Sequence, residues 1–183
     1  MTHPAKPISA PKMALRTAVI LFVFVTVFTG LLAAAYLWTL PTIEAAAAEE
    51  KMKLIDEGLP RSAYDNDLLK DSLRITAASA LGQDAESSAY RARKNGRPTA
   101  LVLEAIAPDG YAGKIRLLIA LGADGTLLGV RVTQHKETPG LGDYIEPKKD
   151  KNKTRPRITQ FDGLNPTSTA GRAWKVKKDG GRF

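Results

Sequence analysis

The sequence predicts an α+β protein: a single N-terminal transmembrane helix followed by a curled antiparallel sheet with flanking helices. Two observations carry that class. Residues 17–39 are uncharged and dominated by Val, Leu, Ile, Phe and Ala, the composition of a membrane span. From Ala89 onward, Val-, Ile- and Leu-rich runs are separated by Asn95-Gly96, Pro108-Asp109-Gly110 and Asp124-Gly125, turn signals about 14 residues apart.

Each element follows from its residues. Lys6, Lys12 and Arg16 precede the apolar span, and no charge follows until Glu44. At about 1.5 Å per residue, the 23 positions of 17–39 cover roughly 35 Å, enough for a hydrocarbon core of about 30 Å. Tyr36 and Trp38 sit at the far end, where amphipathic rings favour headgroups. Basic residues before the span and Glu44, Glu49 and Glu50 after it place residues 1–16 in the cytoplasm, by the positive-inside rule. The domain then lies on the periplasmic side of the inner membrane. The apolar run is too long for the core of a cleaved signal peptide, so the segment reads as a permanent anchor in the lipid bilayer.

Residues 40–60 read as a helical stalk, because Glu44 to Gly58 is rich in Ala, Glu and Lys; Gly58 and Pro60 stop it. The remaining domain is 61–183. Tyr64 to Ile75 reads as a short mixed helix whose Leu68, Leu69 and Leu73 pack into a core. Strands follow at Thr99–Ala107, Lys114–Leu121 and Thr126–His135, antiparallel because their connections are short. In the last, Leu128, Val130 and Val132 alternate with Gly129, Arg131 and Thr133, which predicts one buried and one wet face.

Composition excludes several chemistries. There is no cysteine, hence no disulfide, iron–sulfur ligation or zinc-thiolate site in the chain, and His3 and His135 cannot form a multi-histidine metal centre. Any redox role requires an organic cofactor. The formal net charge is +8, and residues 146–183 alone contribute 11 basic and 4 acidic side chains. Lys148 to Arg157 holds six cations in ten residues; the anchor argues against nucleic acid as their partner. The run reads as a solvated surface insertion, with docking on an acidic neighbouring subunit as its functional alternative.

The strongest local motif is His135-Lys136-Glu137-Thr138-Pro139-Gly140-Leu141-Gly142. Pro139 pre-sets φ and Gly140 accepts positive φ, so Thr138 to Leu141 reads as a type II turn. Glycines at 140 and 142 strip side chains from a surface that a flat ligand can approach. Backbone N–H groups around Pro139–Gly142 are expected to face negative charge on such a ligand. Glu137 is the candidate acceptor for a ring N–H, and His135 reads as locally satisfied rather than catalytic. Tyr111, in the turn Asp109 to Gly113, reads as structural, with stacking on a ligand edge as the alternative.

These residues resemble a known family. HKETPGLGD is similar to the motif of FMN-binding subunits of bacterial membrane electron-transport complexes: the G subunit of the Rnf complex and the C subunit of the sodium-translocating NADH:quinone reductase. Tyr64 to Leu69, Asp109 to Ile115 and Trp174 to Gly181 look like the Rnf G subunit, in its order. The resemblance implies FMN bound at Glu137, Thr138, Pro139, Gly140, Leu141 and Gly142, with other membrane subunits of an Rnf-type complex as partners. It implies an electron relay linking ferredoxin and NAD couples to ion movement, with no stand-alone catalytic residue. In that family, a stretch like Lys178-Asp179-Gly180-Gly181 is followed by Ser/Thr-Gly-Ala-Thr, whose last Thr carries FMN as a phosphoester. That motif would fall beyond Phe183, so the expectation is a truncated form or a protein without covalent flavin. Thr167-Ser168-Thr169-Ala170-Gly171 has the wrong order, and neither Thr167 nor Thr169 inherits the role. The alternatives are a flavin-free membrane-anchored scaffold and the quinone-reductase C subunit.

Overall fold

The computed structural model describes residues 9–183 except 77, 84, 85, 166, 168 and 170. His3, Lys6, Ser168 and Ala170 lie outside the described residues. The chain divides into two compact units, Met1–Ala47 and Ala48–Phe183, and helix α1 (Ala10–Gly58) contributes to both.

In the first unit, Ser9 precedes the helix and its carbonyl accepts the N–H groups of Lys12 and Met13. Pro11 falls in the first turn, where a missing N–H costs nothing. The apolar side chains from Met13 to Trp38 are all exposed, with a mean hydropathy of 2.6 over the best window, so this stretch is long and apolar enough to cross a membrane. Thr26 and Thr39 donate their hydroxyls to the carbonyls of Phe22 and Ala35, 2.8 and 2.9 Å away. Neither hydroxyl is left unsatisfied among hydrocarbon, the condition a lipid-facing helix must meet.

In the second unit, α1 ends as its residues dictate: Gly58 closes the last turn, Leu59 N–H bonds Ile55 O, and Pro60 cannot continue the helix. The sheet has five antiparallel strands in sequential order: β1 (Ser72–Ile75), β2 (Ser87–Lys94), β3 (Arg97–Ala107), β4 (Ile115–Gly122) and β5 (Leu127–Gln134). Asn95 and Gly96, at φ 52° and 75°, close the β2–β3 hairpin in the doubly left-handed form that Asn-Gly favours.

Four expectations need correction. The sheet is open rather than curled, since β1 and β5 are its two edges and do not pair. Apart from the end of α1, its flanking helices are short 3-10 turns. Tyr64 to Ile75 is not helical; it leads into strand β1. The cause is a set of side-chain bonds to β2. Asn66 takes the place of a strand residue, donating to Arg91 O and accepting from Arg93 N–H, at 2.9 and 2.8 Å. Asp71 accepts from the guanidinium groups of both Arg91 and Arg93.

The fourth correction concerns β5, which has no wet face over most of its length. A bulge leaves Leu128 unpaired between the pairs Leu121↔Leu127 and Ala120↔Gly129. Leu127, Val130 and Val132 then face a cluster with Ile158 and Leu164, packed by Phe161, Trp174 and Phe183. Gly129 and Arg131 face the end of α1. A Cβ at position 129 would stand 2.6 Å from Gly58 Cα, so the helix rests directly on strand backbone. Arg131, only 7 % exposed, donates to the carbonyls of Glu57 and Val130. On the same face, Ile55, Leu59, Tyr64 and Leu68 pack against Tyr90, Ala92, Ala100, Val102, Leu118 and Ala120.

Candidate functional site

β3 ends opposite the start of β4 (Ala107↔Ile115), and β4 starts opposite the end of β5 (Arg116↔Gln134). The β3–β4 loop and the chain leaving β5 therefore emerge from one end of the sheet. They meet through Glu137, whose Oε1 accepts the N–H of Ala112 at 3.1 Å. Gly142 makes room for that carboxylate, whereas a Cβ on Gly110 would first meet Gly113 O, at 2.2 Å. A Cβ on Gly110 would lie 3.0 Å from Glu137 Oε1, and one on Gly142 would lie 2.7 Å from Oε2. Sequence spacing suggested that the glycines at 140 and 142 bare a surface for a ligand; at 142 the space is taken by Glu137, while a Cβ at 140 would meet nothing within 4 Å.

The turn has the expected form. Gly140 sits at φ 78°, and the N–H groups of Leu141 and Gly142 both bond Thr138 O, at 3.1 and 3.0 Å. Gly140 N–H is taken by Asp143 Oδ1 at 2.8 Å. Proline has no N–H. The expectation that backbone donors around Pro139–Gly142 face a bound anion is therefore wrong: from 139 to 142 every donor is engaged within the loop.

A cavity of about 350 Å³ opens between the two loops, lined by Tyr111, Glu137, Thr138, Leu141, Gly142 and Tyr144. Four of the six sequence candidates thus line it; Pro139 and Gly140 are exposed and shape the turn instead. Tyr111 is 96 % exposed and Leu141 75 %, so an aromatic and an aliphatic side chain stand open to solvent at its edge. Tyr144 was not anticipated. It follows the glycine motif in a short 3-10 turn, Asp143–Ile145, and the Arg157 guanidinium lies 4.4 Å from its ring centroid. The last cation of the basic run thereby reaches the wall of the cavity. The rest of that run is exposed around a buried Asp150, which accepts the N–H groups of Asn152 and Arg157, at 2.9 and 2.6 Å.

His135 is 7 % exposed in its side chain and sits behind the cavity wall. Its Nδ1 accepts Glu137 N–H at 3.0 Å, and its Nε2 lies 2.6 Å from Glu146 Oε1. Burial pushes the Glu146 carboxyl up, yet hydrogen bonds from Lys149 and His135 outweigh it and hold the group below its ordinary value. Among the described residues, no three His, Asp or Glu side chains are grouped to hold a metal ion.

The arrangement suits a flat, partly apolar ring. Its volume lies in the range of small-molecule sites, about 300–1,000 Å³, and its lining combines two tyrosines, a leucine and one fixed carboxylate.

Comparison with known proteins agrees with the geometry. A family described as "FMN-binding domain" matches residues 110–180, a segment that begins at the first loop of the cavity and contains the second. A second family, described as "RnfG N-terminal region", matches residues 1–57. The G subunit of the ion-translocating oxidoreductase complex of Photorhabdus laumondii is 43 % identical over 168 residues, covering 92 % of this chain and 78 % of that protein. The protein of the same name from Pseudomonas aeruginosa is 44 % identical over 169 residues, covering 92 % and 77 %. That from Vibrio cholerae is 37 % identical over 168 residues, covering 92 % and 78 %. With anchor, sheet and cavity all inside the matched span, the chain belongs to the family of G subunits of Rnf-type ion-translocating oxidoreductase complexes, membrane proteins with an FMN-binding domain.

Proposed function

We propose that this chain is an electron-relay subunit of an Rnf-type complex and holds FMN in the cavity formed by Tyr111, Glu137, Thr138, Leu141, Gly142 and Tyr144. The observation that carries this reading is the meeting of two loops at one end of the sheet, within the residues matched by an FMN-binding domain. The flavin supplies reversible one- and two-electron transfer, for which this cysteine-free chain has no two-electron carrier of its own. The protein's residues do the rest. Tyr111 and Leu141 cover the ring and exclude water from its faces. Glu137, fixed by Ala112, presents an acceptor to a ring N–H, and Thr138 adds a hydroxyl at the rim. Arg157, stacked on Tyr144, places a fixed positive charge beside the wall, which favours the electron-rich form of a ring bound there.

The finer setting belongs to the same proposal. Lys12 and Arg16 before the span, with Glu44, Glu49 and Glu50 after it, support a cytoplasmic N-terminus and a periplasmic domain on the inner membrane. The couple served is ferredoxin and NAD, the partners are the other membrane subunits, and the flavin is retained by a phosphoester to a threonine, as the family pattern implies. One observation favours a flavin-free scaffold instead: the Pro139–Gly142 loop keeps its donors for itself. The intact mass of the denatured protein, extracted in detergent from its native membrane, separates the two. One added FMN is expected; an unmodified polypeptide mass overturns the covalent relay.

A further inference from the structure

Glu137 is held at both ends. Its carboxylate accepts Ala112 N–H, and its own N–H donates to His135 Nδ1, at 3.1 and 3.0 Å. That second bond fixes more than a backbone. An Nδ1 that accepts carries no proton, so a neutral ring must bear its proton on Nε2, pointing at Glu146 Oε1, 2.6 Å away. Glu146 is anchored in turn: Lys149 Nζ reaches the same oxygen at 3.0 Å, and its carbonyl accepts the N–H groups of Lys149 and Asp150. The chain of contacts runs from the turn 146–150, through the imidazole, into the backbone of Glu137. From there it passes through the Glu137 carboxylate to the loop that carries Tyr111.

We propose that His135 is the positioning residue of the flavin cavity: its neutral Nε2–H tautomer holds Glu137 in register so that one carboxylate joins the two cavity loops. His135 does not line the cavity. Its effect is exerted through Glu137, and its importance for flavin rests on the reading above.

Two substitutions separate the two ring contacts. In His135→Asn the amide oxygen takes the place of Nδ1 and keeps the bond to Glu137 N–H, while the reach to Glu146 is lost. In His135→Gln the amide nitrogen takes the place of Nε2 and keeps Glu146, while the acceptor for Glu137 is lost. Free FMN, titrated by fluorescence quenching against the detergent-solubilised full chain, is expected to bind His135→Asn within about twofold of the unmodified chain. His135→Gln is expected to bind about three- to tenfold more weakly, the value of one neutral hydrogen bond. The reverse order, or equal affinities for all three, overturns the proposal. Ring 15N NMR of the unmodified chain without flavin gives an independent readout, even where a variant fails to fold. A bare Nδ1 and a protonated Nε2 at neutral pH support the assignment; a proton on Nδ1 overturns it. If the unmodified chain binds no FMN, the flavin reading fails, while the NMR result still decides whether His135 holds Glu137.

Discussion

The contact between Gly58 and Gly129 allows a test of how the helix end is seated, because the two glycines are not equivalent. A Cβ at 129 would stand 2.6 Å from both Gly58 Cα and Gly58 O and 3.0 Å from Gly58 C. Ordinary carbon contacts lie at about 3.5–4.0 Å, so the helix must retreat by roughly 1 Å, and no rotamer change can relieve backbone against backbone. Overpacking of this kind costs about 1–3 kcal/mol. Alanine recovers about 0.5–1 kcal/mol over glycine within a strand. Gly129→Ala is therefore destabilising by about 1–2 kcal/mol, which for a unit of this size lowers Tm by about 3–8 °C. Gly58→Ala is the control: its Cβ meets nothing nearer than 3.6 Å, so it should be neutral or stabilising by up to about 1 kcal/mol. Thermal unfolding of the detergent-solubilised chain, followed by circular dichroism, measures both. If Gly58→Ala is the more damaging, or Gly129→Ala is silent, the seating of the helix described above is wrong.

Other consequences are as direct. Leu68→Ala, at a fully buried position, should cost about 2–5 kcal/mol in urea unfolding, and a loss below about 1 kcal/mol would remove Leu68 from the core. Tyr111→Ala should leave stability within about 0.5 kcal/mol yet weaken FMN binding about two- to tenfold; unchanged binding would deny the ring a stacking role. Burial raises the Glu104 carboxyl, but bonds from Lys51 and Tyr90 prevail and hold it below its ordinary value. A carboxyl lowered in the folded state stabilises the fold above its unfolded pKa of about 4.3, and that stability is lost as pH falls through the folded value. With both partners about one-third exposed, the effect is about 1 kcal/mol, and Glu104→Gln should flatten the acid limb of a stability–pH curve. An unchanged acid limb would show that the pair contributes nothing.

What the residues reveal before folding, and what they do not, divides along sequence distance. The apolar run of 17–39, the Asn95-Gly96 hairpin and the Pro139-Gly140 turn are local features, and each appears where its residues place it. Strand β1 escaped because its pairing depends on Asn66 and Asp71 reaching β2, contacts some 20 to 27 residues away that no periodicity records. Arg131 reads as a wet-face residue by alternation, yet the helix end arrives from 74 positions earlier and buries it. At the site, Glu137 was visible as a candidate, but its holding partner Ala112 lies 25 residues away in another loop. That distance also explains why Gly142 reads as ligand surface when it accommodates the Glu137 side chain. Tyr144 carried a faint signal, an aromatic two residues beyond the glycine motif, and only the later arrival of Arg157 gives it a place.

The proposed relay requires FMN to lie between the loops of Tyr111 and Glu137–Gly142. Titration of FMN into the detergent-solubilised full chain, with backbone amide shifts assigned residue by residue, tests it most directly. The largest shifts are expected at Tyr111, Ala112, Glu137, Thr138, Leu141, Gly142 and Tyr144, with β1 and β2 unmoved. Shifts centred elsewhere, such as the cleft lined by Arg157, Lys177 and Phe183, would contradict it, and so would no shift at saturating FMN.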